Sequence, residues 1–172
     1  MNMIIRCARS GDVQALCEAE REIVRRFDAM LVSDPDELSE SAHVERIELQ
    51  LQGRAKLLVA EVDSVVVAHA SLYPMGLRRV AHVLRLDMCV HLGHWRQGLG
   101  SALLANLLEW ARLHSGAVKV ELLVRSTNAA AVALYGRAGF VLEGRLANRV
   151  RLRDGTFVDD LSMGLLLGPH AA

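Results

Sequence analysis

Apolar residues recur every three or four positions in four stretches of this chain, the spacing that buries one face of an α-helix. The first stretch starts directly after Asp12, a residue type whose carboxylate is favoured at the start of a helix. The second is weaker and stops at Gly53, the third runs from Ser101 to a stop at Gly116, and the fourth begins near Asn128. The apolar positions that define the first two helices are Val13, Leu16, Ala19, Ile23 and Phe27, then Val44, Ile47 and Leu51.

The segments between these helices are rich in β-branched residues and end at turn-forming residues, which predicts strands. KLLVAEV and VVVAHASLY are separated by Asp63 and Ser64 and should form a hairpin. Further strands are predicted from about residue 80 to residue 90 and over AVKVELLV. Near the end of the chain, Asp154-Gly155 indicates a hairpin turn between VRLR and TFVDD. Because hairpins and helical crossovers both occur, we predict an α/β (α+β) fold with a central mixed, mostly antiparallel sheet.

The length and charge of the chain limit the number of domains and the kinds of binding partner that we expect. Its 172 residues suffice for about one domain, and we expect a single domain over residues 1–168 followed by a short C-terminal tail at 169–172. Twenty Lys and Arg balance twenty Asp and Glu, so the formal net charge is zero. A protein that binds nucleic acid or a membrane surface mainly through charge carries a basic excess or a basic helical face. We therefore expect neither kind of partner.

Cysteine usage and the N-terminal segment bear on the compartment. Cys7, Cys17 and Cys89 are odd in number and show no CxxC spacing, so a reducing compartment suits them. The apolar run before Arg6 is too short for a signal peptide, and no stretch approaches the roughly 20 apolar residues of a membrane span. These features predict a cytoplasmic protein. Dimers are the commonest soluble oligomers, so a homodimer is the assembly to test first.

The segment HLGHWRQGLG, which joins a predicted strand to the third helix, carries the clearest chemistry. Gly98 and Gly100 allow the backbone to turn tightly and to approach a ligand closely. The free N–H groups of a helix N-terminus suit a pyrophosphate, and Arg96, Gln97 and Ser101 can add donors. A plain strand-to-helix turn with two glycines would look the same. Neither GxxxxGK[ST] nor GxGxxG occurs, which disfavours nucleotide hydrolysis and dinucleotide redox chemistry.

Three blocks of the chain, in this order, together resemble the GNAT superfamily of acetyl-CoA-dependent N-acyltransferases. They are LDMCVHLGHWRQGLGSALL, KVELLV, and NAAAVALYGRAGF followed by EGR, and they cover roughly residues 83 to 145. The final RLRDGTFVDDLSM is similar to the tail of a branch that acylates amino acids or small amines. The resemblance implies a GNAT-like domain with helices on both faces of the sheet, which is splayed between two central strands where acetyl-CoA enters.

The resemblance also implies roles for individual residues. An amine attacks the thioester carbonyl, strand N–H groups between Met88 and Val90 stabilise the oxyanion, and Tyr135 matches the acid that protonates the CoA sulfur. Asn128 matches a polar contact to the pantetheine arm or to the loop that holds it. The full set of implied cofactor-binding residues is Met88, Cys89, Val90, Arg96, Gln97, Gly98, Gly100, Ser101, Asn128 and Tyr135.

One residue departs from the family pattern. Trp95 stands where Gln or Arg usually begins the glycine loop, and Arg96 follows one position later. An indole has a single donor and cannot replace a guanidinium at a phosphate. The departure implies either that backbone amides and Arg96 hold the phosphates or that CoA affinity is lower than usual.

The reaction needs a base, because an unperturbed alkyl amine with a pKa near ~10.4 is almost wholly protonated at pH 7. Asp87 lies in an apolar strand, where a carboxylate is costly unless it is paired or functional. It is predicted either to take the amine proton, directly or through water, or to be an ordinary partner of Arg85 or His69. Glu61 and Glu121 are weaker candidates, because they more readily mark exposed strand faces.

Several other reactive residue types favour structural interpretations. His91 and His94 have i, i+3 spacing, but no Cys or carboxylate completes a set around them, so no metal site is predicted. Cys89 lacks a recognisable His partner and is interpreted as a small core residue rather than a nucleophile. Asp159 and Asp160 are candidates to hold a cationic amine substrate, but beside Arg151 and Arg153 in a paired strand they are expected to form cross-strand ion pairs.

The sequence thus predicts an N-acetyltransferase that moves an acetyl group from acetyl-CoA to a primary amine. The tail resemblance favours an amino acid or other small amine over a protein N-terminus. The alternative is a CoA-binding or ligand-sensing module on the same fold that has lost turnover, an option that Trp95 keeps open. Such a sensor would bind CoA and release no thiol with any amine. A plain interaction domain would not bind CoA.

Overall fold

The computed structural model describes residues 3–168, so the predicted tail at 169–172 lies outside the described residues. Within that range one seven-stranded sheet carries four α-helices. The elements, in chain order, are β1 (Met3–Cys7), α1 (Val13–Arg26), α2 (Ser41–Leu51), β2 (Lys56–Val62), β3 (Val65–Pro74), β4 (Val83–Val90), α3 (Leu99–His114), β5 (Lys119–Arg125), α4 (Ala129–Arg137), β6 (Val141–Arg151) and β7 (Phe157–Leu166).

The strand order in the sheet is β1-β2-β3-β4-β5-β7-β6. Neighbouring strands pair antiparallel everywhere except between β4 and β5, which are parallel and are connected through α3. A parallel pair requires a long crossover, which α3 and its flanking loops supply. The predicted mixed, mostly antiparallel sheet is confirmed.

The parallel pair is also where the sheet opens. Residues Val83–Arg85 of β4 pair with Lys119–Glu121 of β5, and past these three residues no further pairing joins the two strands in the described chain. Strand β4 nevertheless continues to Val90 and β5 continues to Arg125. The carboxyl-terminal halves of two central strands therefore diverge, which is the splay that the family resemblance implied.

The two faces of the sheet bury separate clusters of apolar side chains. Leu57 and Val59 of β2 point to the face covered by α1 and α2. Leu58 and Ala60, the alternate residues of the same strand, belong to the larger core beneath α3 and α4. Helices therefore cover both faces, as predicted, and the sheet core consists mainly of aliphatic side chains.

Two predictions for the N-terminal third of the chain differ from the structure, one about β1 and one about the buried face of α2. Strand β1 was not predicted, because it is a short edge strand with no buried residue and so has a weak pattern. In α2, Val44 and Leu51 are exposed, whereas His43 and Ile47 form the buried face. The buried face of this helix is therefore partly polar, a feature that a hydrophobic repeat cannot register.

Asp12 does not cap α1 with its side chain, which corrects another expectation. Its carboxylate accepts a hydrogen bond from the backbone N–H of Arg9 at 2.7 Å and two from the Arg6 guanidinium at 2.8 and 2.9 Å. Arg6 also donates to Glu61 of β2 at 2.8 Å. The Arg6 guanidinium therefore lowers the pKa of Asp12, and the three side chains fasten β1 to the start of α1 and to its neighbouring strand.

The two predicted hairpins are confirmed. Asp63 and Ser64 both adopt positive φ at the turn between β2 and β3, and Gly155 does so between β6 and β7. Asp159 and Asp160 of β7 form cross-strand ion pairs as expected, but their partners are Arg145 of β6 and Arg125 of β5 rather than Arg151 and Arg153. Asp160 also lies 4.0 Å from Arg149 of β6. No helix of the described residues is both long and apolar enough to cross a membrane.

Candidate active site

The divergence of β4 and β5 creates a cleft of about 1050 Å³. Its walls come from both sides of the sheet: α1 and α2 with the segment that connects them, the exposed edge of β4, the loop before α3, the end of β5, and α4. The cleft is therefore lined both by the N-terminal helices, which carried no recognisable motif, and by the two segments that carried one, the glycine loop before α3 and the segment of α4.

The loop before α3 delivers a helix N-terminus to this cleft. Gly98 caps α3 with a φ of 81°, a left-handed conformation that glycine adopts without steric cost. A Cβ on Gly100 would lie 3.3 Å from both the Met88 sulfur and a Leu134 methyl, so this position is held by close approach. Gly98, Gly100 and Ser101 line the cleft, and the amides of the first helical turn have no partner within the helix.

Three side chains of the same loop take different positions. Arg96, whose own φ is 60°, lines the cleft. Gln97 instead donates its side-chain amide to the Gly93 carbonyl at 3.3 Å and does not contribute to the cleft wall. Trp95 donates its indole N–H to the Val90 carbonyl at 2.7 Å. Gln97 and Trp95 therefore brace the loop from within, while Arg96 remains available to a ligand.

The indole of Trp95 also packs against the ring of Phe27, with the two ring centroids 5.0 Å apart. Phe27 directly follows α1, so this contact ties the glycine loop to the beginning of the α1–α2 connection. Trp95, which replaces the family's usual polar residue, therefore packs between two walls of the cleft.

The exposed edge of β4 presents backbone amides to the cleft. The N–H of His91 donates to the Val67 carbonyl of β3 at 2.9 Å. Because donors alternate between the two edges of a strand in an antiparallel pair, the N–H groups of Met88 and Val90 point away from β3, toward the gap beside β5. Met88, Cys89 and Val90 all line the cleft. This edge can therefore hydrogen-bond an extended ligand or an oxyanion.

Cys89, on the same stretch, is buried against β3. Burial, with a smaller effect from the Glu20 charge, raises the pKa of its thiol far above the ordinary value. The thiol therefore stays protonated at neutral pH, which agrees with a packing role and disfavours a nucleophile.

Asp87 reaches into the cleft from β4 and is bound on one oxygen only. Its Oδ2 accepts a hydrogen bond from the Arg46 guanidinium of α2 at 2.6 Å and another from the Tyr73 hydroxyl of β3 at 2.8 Å. The predicted partners, Arg85 and His69, do not contact it, which corrects that expectation for the described residues. Its side chain is 46% exposed, and no described residue binds Oδ1, so this oxygen remains open to a ligand.

The group around Asp87 is itself well ordered. The Arg46 guanidinium lies over the Tyr73 ring, 4.5 Å from its centroid, a favourable cation–π distance. Burial, and then the neighbouring Asp87 charge, raise the pKa of Tyr73 to about 12, so its hydroxyl remains a donor. Arg46 and Tyr73 together orient the Asp87 carboxylate.

Tyr135 faces the same cleft from α4. Its ring is buried and packs against Phe140, with centroids 5.8 Å apart, and within the described residues its hydroxyl has no hydrogen-bond partner. Burial, with a smaller effect from Asp87, raises the pKa of Tyr135 to about 12. The Tyr135 hydroxyl is therefore protonated at neutral pH and free to donate into the cleft.

Asn128 starts the helix that carries Tyr135. Its side-chain oxygen accepts from the backbone N–H of Ala131 at 3.1 Å, as an N-cap does. Its side-chain amide contacts the Met30 sulfur in the α1–α2 connection at 3.5 Å. Asn128 therefore fixes both α4 and one wall of the cleft, and it lines the cleft itself.

A buried polar cluster that the sequence analysis did not identify forms the opposite wall. Glu20 of α1 lies between two buried imidazoles: His43 Nε2 is 3.2 Å from one carboxylate oxygen and His69 Nε2 is 2.9 Å from the other. The second nitrogen of His69 lies 3.0 Å from His91 Nε2. The sequence analysis considered only His91 and His94, whereas this cluster brings together Glu20, His43 and His69 from three distant segments.

Burial and hydrogen bonding act oppositely within this cluster. Burial alone would raise the pKa of Glu20, but hydrogen bonds from His43 and His69 outweigh it and leave that pKa well below the ordinary value. Burial lowers the pKa of His69, and burial followed by the His69 charge lowers the pKa of His91 to about 4. Glu20 is therefore a carboxylate at neutral pH.

Sequence signals for these missed residues were weak but not absent. His43 is one helical turn before Ile47 on the buried face of α2, and His69 interrupts an otherwise apolar strand. Glu20, Arg46 and Tyr73 carried no comparable signal. Their roles depend on which elements the fold places beside β3 and β4.

Comparisons with known proteins agree with this architecture. Residues 21–140 match the family described as "Acetyltransferase (GNAT) family". The chain is 29% identical over 161 residues to the L-amino acid N-acetyltransferase AaaT of Escherichia coli, covering 91% of this chain and 93% of that protein. It is 32% identical over 120 residues to the L-methionine sulfoximine/L-methionine sulfone acetyltransferase of Salmonella typhimurium, covering 67% of each.

Among solved structures, yncA from Salmonella typhimurium with its cofactor acetyl-CoA superimposes with a TM-score of 0.89 at 26% identity, covering 100% of this chain and 98% of that one. A cleft at a sheet splay, with a glycine-capped helix N-terminus beside it, defines an acyltransferase fold that accepts a phosphate-bearing thioester. This chain belongs to the GNAT family of acetyltransferases. Acetyl-CoA is the acetyl donor of that family, so the predicted family, enzyme class and donor are confirmed.

Proposed function

We propose that this protein transfers the acetyl group of acetyl-CoA to the primary amine of an amino acid or a similar small amine. The observation that carries the proposal is the arrangement around the cleft. Asp87 on β4 and Tyr135 on α4 face one cavity, and the edge amides of β4 lie beside them. A base, an acid and an oxyanion donor are thus available around one reacting carbon.

The donor is assigned to the half of the cleft that contains the glycine loop. The pyrophosphate binds the first-turn amides of α3 from Gly98 to Ser101, where the helix dipole favours negative charge, and Arg96 supplies a cation. Gln97 and Trp95 hold the loop in shape rather than contacting the phosphates. This division of roles accommodates the absence of the family's usual Gln or Arg at Trp95.

The pantetheine arm is assigned to the edge of β4, from Met88 through Cys89 to Val90. Such an arm contains amide groups and can pair with the free N–H and C=O groups of a strand edge. Asn128, which fixes the start of α4, helps to hold the opposite side of the channel. The acetyl carbonyl then lies near the Met88 and Val90 amides, which can donate to its oxygen.

The chemistry starts with an ammonium group, which must lose a proton before it can attack. Asp87 accepts that proton on Oδ1, directly or through a water molecule. The free amine nitrogen bonds to the carbonyl carbon, and the resulting oxyanion accepts hydrogen bonds from the β4 edge amides. Collapse of this intermediate re-forms the C=O bond and breaks the C–S bond.

Tyr135 gives its proton to the departing sulfur, so that CoA leaves as a thiol. The nitrogen loses two protons in total. One leaves through Asp87 to solvent, and the other restores the proton that Tyr135 gave to the sulfur. The products are an N-acetyl amide, CoA-SH and one proton. Arg46 and Tyr73 are positioning residues in this scheme, because they hold Asp87.

The substrate class rests on two supports. The relatives that match along most or two thirds of this chain are named for acetylation of L-amino acids and of L-methionine sulfoximine or sulfone. The acceptor side of the cleft is polar and contains both charge signs, including Arg46, Arg85 and Asp87, which suits a zwitterion. The ammonium group of a zwitterionic amino acid would face the Asp87 carboxylate, and its carboxylate would face the guanidinium groups of Arg46 and Arg85.

The proposal is tested by measuring thiol release from acetyl-CoA with a panel of amino acids, methionine derivatives, polyamines and N-terminal peptides. Turnover with one or more small amino acids supports it. Turnover with peptides alone would assign the protein to N-terminal acetylation, and CoA binding by calorimetry without thiol release from any amine would indicate a sensor.

Two variants test the assigned roles on the substrate that the panel identifies. Tyr135→Phe should lower kcat by about 10² or more, the usual contribution of a general acid, with CoA affinity unchanged. Asp87→Asn should lower kcat/KM to a similar extent. Glu109→Gln, at an exposed carboxylate on α3, is the matched control and should retain normal turnover. Full activity in Tyr135→Phe would remove the acid assignment.

A further inference from the structure

The wall of the cleft opposite α4 contains three side chains, two buried and one partly buried, that the acetyl-transfer scheme does not use. Glu20, His43 and His69 come from α1, α2 and β3, and the sequence separates them by tens of residues. His43 and His69 are 1% and 3% exposed, and all three line the cleft. Their side-chain ligand atoms all lie within 4.8 Å of one another. A set of two imidazoles and a carboxylate converging in a buried wall is a potential ligand set.

The spacing of these atoms is close to that around a tetrahedral metal ion. His43 Nε2 and His69 Nε2 lie 3.2 and 2.9 Å from the Glu20 oxygens. Bonds of ~2.0–2.1 Å to zinc at tetrahedral angles place neighbouring ligand atoms about 3.3 Å apart. The three ligand atoms all lie within 4.8 Å of one another, so a closer approach of the two imidazole nitrogens would allow all three groups to bind one ion.

We propose that Glu20, His43 and His69 bind a divalent transition metal ion of the zinc class. Two histidines and one glutamate are a ligand set that catalytic zinc sites use when they keep a fourth position open. Here that fourth position faces the cleft, because all three ligands line it. Imidazole nitrogen also suits nickel, copper and iron, so the ligand types define a class of metals rather than one element.

The surroundings of the two imidazoles are compatible with metal binding. Without an ion, Nε2–H of each ring donates to the Glu20 carboxylate, so metal binding requires each ring to carry its proton on Nδ1 instead and to offer the Nε2 lone pair. For His69, that Nδ1–H would donate to His91 Nε2, which lies 3.0 Å away, and such outer partners orient metal-bound histidines. His43 Nδ1 is buried without a hydrogen-bond partner in the described residues, so of the two imidazoles only that of His69 has an outer partner.

The test begins with the tag-free wild-type protein, prepared with a chelator and then exchanged into chelator-free buffer. Titration with zinc chloride in a calorimeter should show one equivalent bound, and cobalt(II) should give the visible absorption of a tetrahedral site. Zinc should also raise Tm. Absence of zinc binding and of a cobalt spectrum in the folded wild-type protein would overturn the proposal and leave the cluster as a hydrogen-bonded network.

Variants locate the site if binding occurs. Glu20→Gln and His69→Asn each remove one ligand and should abolish tight zinc binding. His91→Asn removes only the outer partner and should weaken affinity by about 10- to 100-fold. His114→Asn, at an exposed histidine at the end of α3, is the matched control and should bind as wild type does. Unchanged affinity in Glu20→Gln and His69→Asn would place the metal elsewhere and refute the assignment.

A measurement on the wild-type chain keeps the test decisive if a buried variant fails to fold. X-ray absorption of the zinc-loaded protein should show two imidazoles and an oxygen ligand. Sulfur ligation, which would indicate cysteines instead, would overturn the proposal. These readouts do not use acetyl transfer, so their failure leaves the proposed function untouched.

Discussion

At the scale of single residues, Tyr135 shows how burial can prepare a functional group. Its ring is held by Phe140 and its hydroxyl has no partner among the described residues, although it faces a cleft. A buried hydroxyl usually finds a partner, so an unpaired one beside open space is available to a ligand. In the proposed reaction, the raised pKa of Tyr135 keeps the proton on its hydroxyl until the CoA sulfur departs.

The pH profile provides a test at this scale. Because burial raises the pKa of Tyr135 to about 12, the acid stays protonated throughout the neutral and mildly alkaline range. The fraction of free amine, by contrast, increases toward the pKa of the amine. We expect kcat/KM for a small amine to rise from about pH 7 to about pH 10 without a descending limb from Tyr135.

The profile is measured by thiol release in buffers of constant ionic strength. Tyr135→Phe, which keeps residual activity, serves as the comparison. A descending limb below about pH 10 in the wild-type protein that is lost in Tyr135→Phe would show that the tyrosine ionises early and would contradict this expectation.

At the scale of elements, the start of α3 depends on two glycines for different reasons. Gly98 is required for its positive φ, and Gly100 for the close approach of Met88 and Leu134. Together they bring the helix N-terminus against the edge of β4. The same backbone geometry that stabilises the turn therefore leaves first-turn amides directed at the cleft.

Alanine substitution tests whether the backbone conformation of Gly98, rather than the loss of a glycine as such, controls CoA binding. Gly98→Ala should impose about 1–2 kcal/mol of left-handed strain, and relief of that strain should move the loop and weaken CoA binding roughly tenfold. Gly136→Ala is the matched control, because Gly136 lies inside α4 with no atom within 4 Å of an added Cβ. It should bind CoA normally and be as stable as wild type or up to ~1 kcal/mol more stable.

Calorimetry with CoA gives the affinities, and urea denaturation gives the free energies of unfolding. Equal CoA affinity in Gly98→Ala and Gly136→Ala would show that the conformation of Gly98 does not control the binding of the donor.

At the scale of the whole molecule, the short pairing between β4 and β5 determines where the cleft lies. The seven strands would form a continuous sheet if β4 and β5 paired along their whole length, but pairing stops after three residues on each strand. Helices on both faces close over the gap. The net charge of the chain is zero, so the proposed binding mode assigns the anionic donor to local groups, the first-turn amides of α3 and Arg96, rather than to an overall positive field.

The edge of the sheet offers a stability prediction with a defined pH dependence. Arg6 joins β1 to Asp12 and to Glu61, and this guanidinium lowers the pKa of Asp12. A carboxylate whose folded pKa is depressed stabilises the fold above its unfolded pKa, and that stabilisation disappears as the pH falls through the folded value. Arg6→Gln should therefore cost about 1–2 kcal/mol at pH 7, and the cost should shrink below about pH 4.

Urea denaturation of both proteins over this pH range measures the difference. Arg9→Gln is the matched control: its backbone N–H, which bonds Asp12, is retained, and the Arg9 charge has the smallest effect on the pKa of Asp12, so the cost and its change with pH should both be much smaller than for Arg6→Gln. A cost of Arg6→Gln that stays the same down to about pH 3 would show that Asp12 is not the coupled group.

The hydrophobic pattern predicted all four helices and most strands, because amphipathic helices and hairpin turns leave periodic signals in the sequence. It missed β1, whose residues lie at an exposed edge, and of the three positions that it assigned to the buried face of α2 only Ile47 is buried. The candidate site divides in the same way. Motif residues such as Gly98 and Tyr135 could be identified, whereas Arg46 and Tyr73, which hold Asp87, could not.

The order of elements, the glycine-capped helix and the family were determined by the sequence itself, because each rests on residues that are close together along the chain. The partners of Asp87 and the meeting of Glu20, His43 and His69 were decided only by the tertiary structure. Those contacts join α1, α2, β3 and β4, and no local spacing encodes which side chains meet when separate elements pack on one sheet.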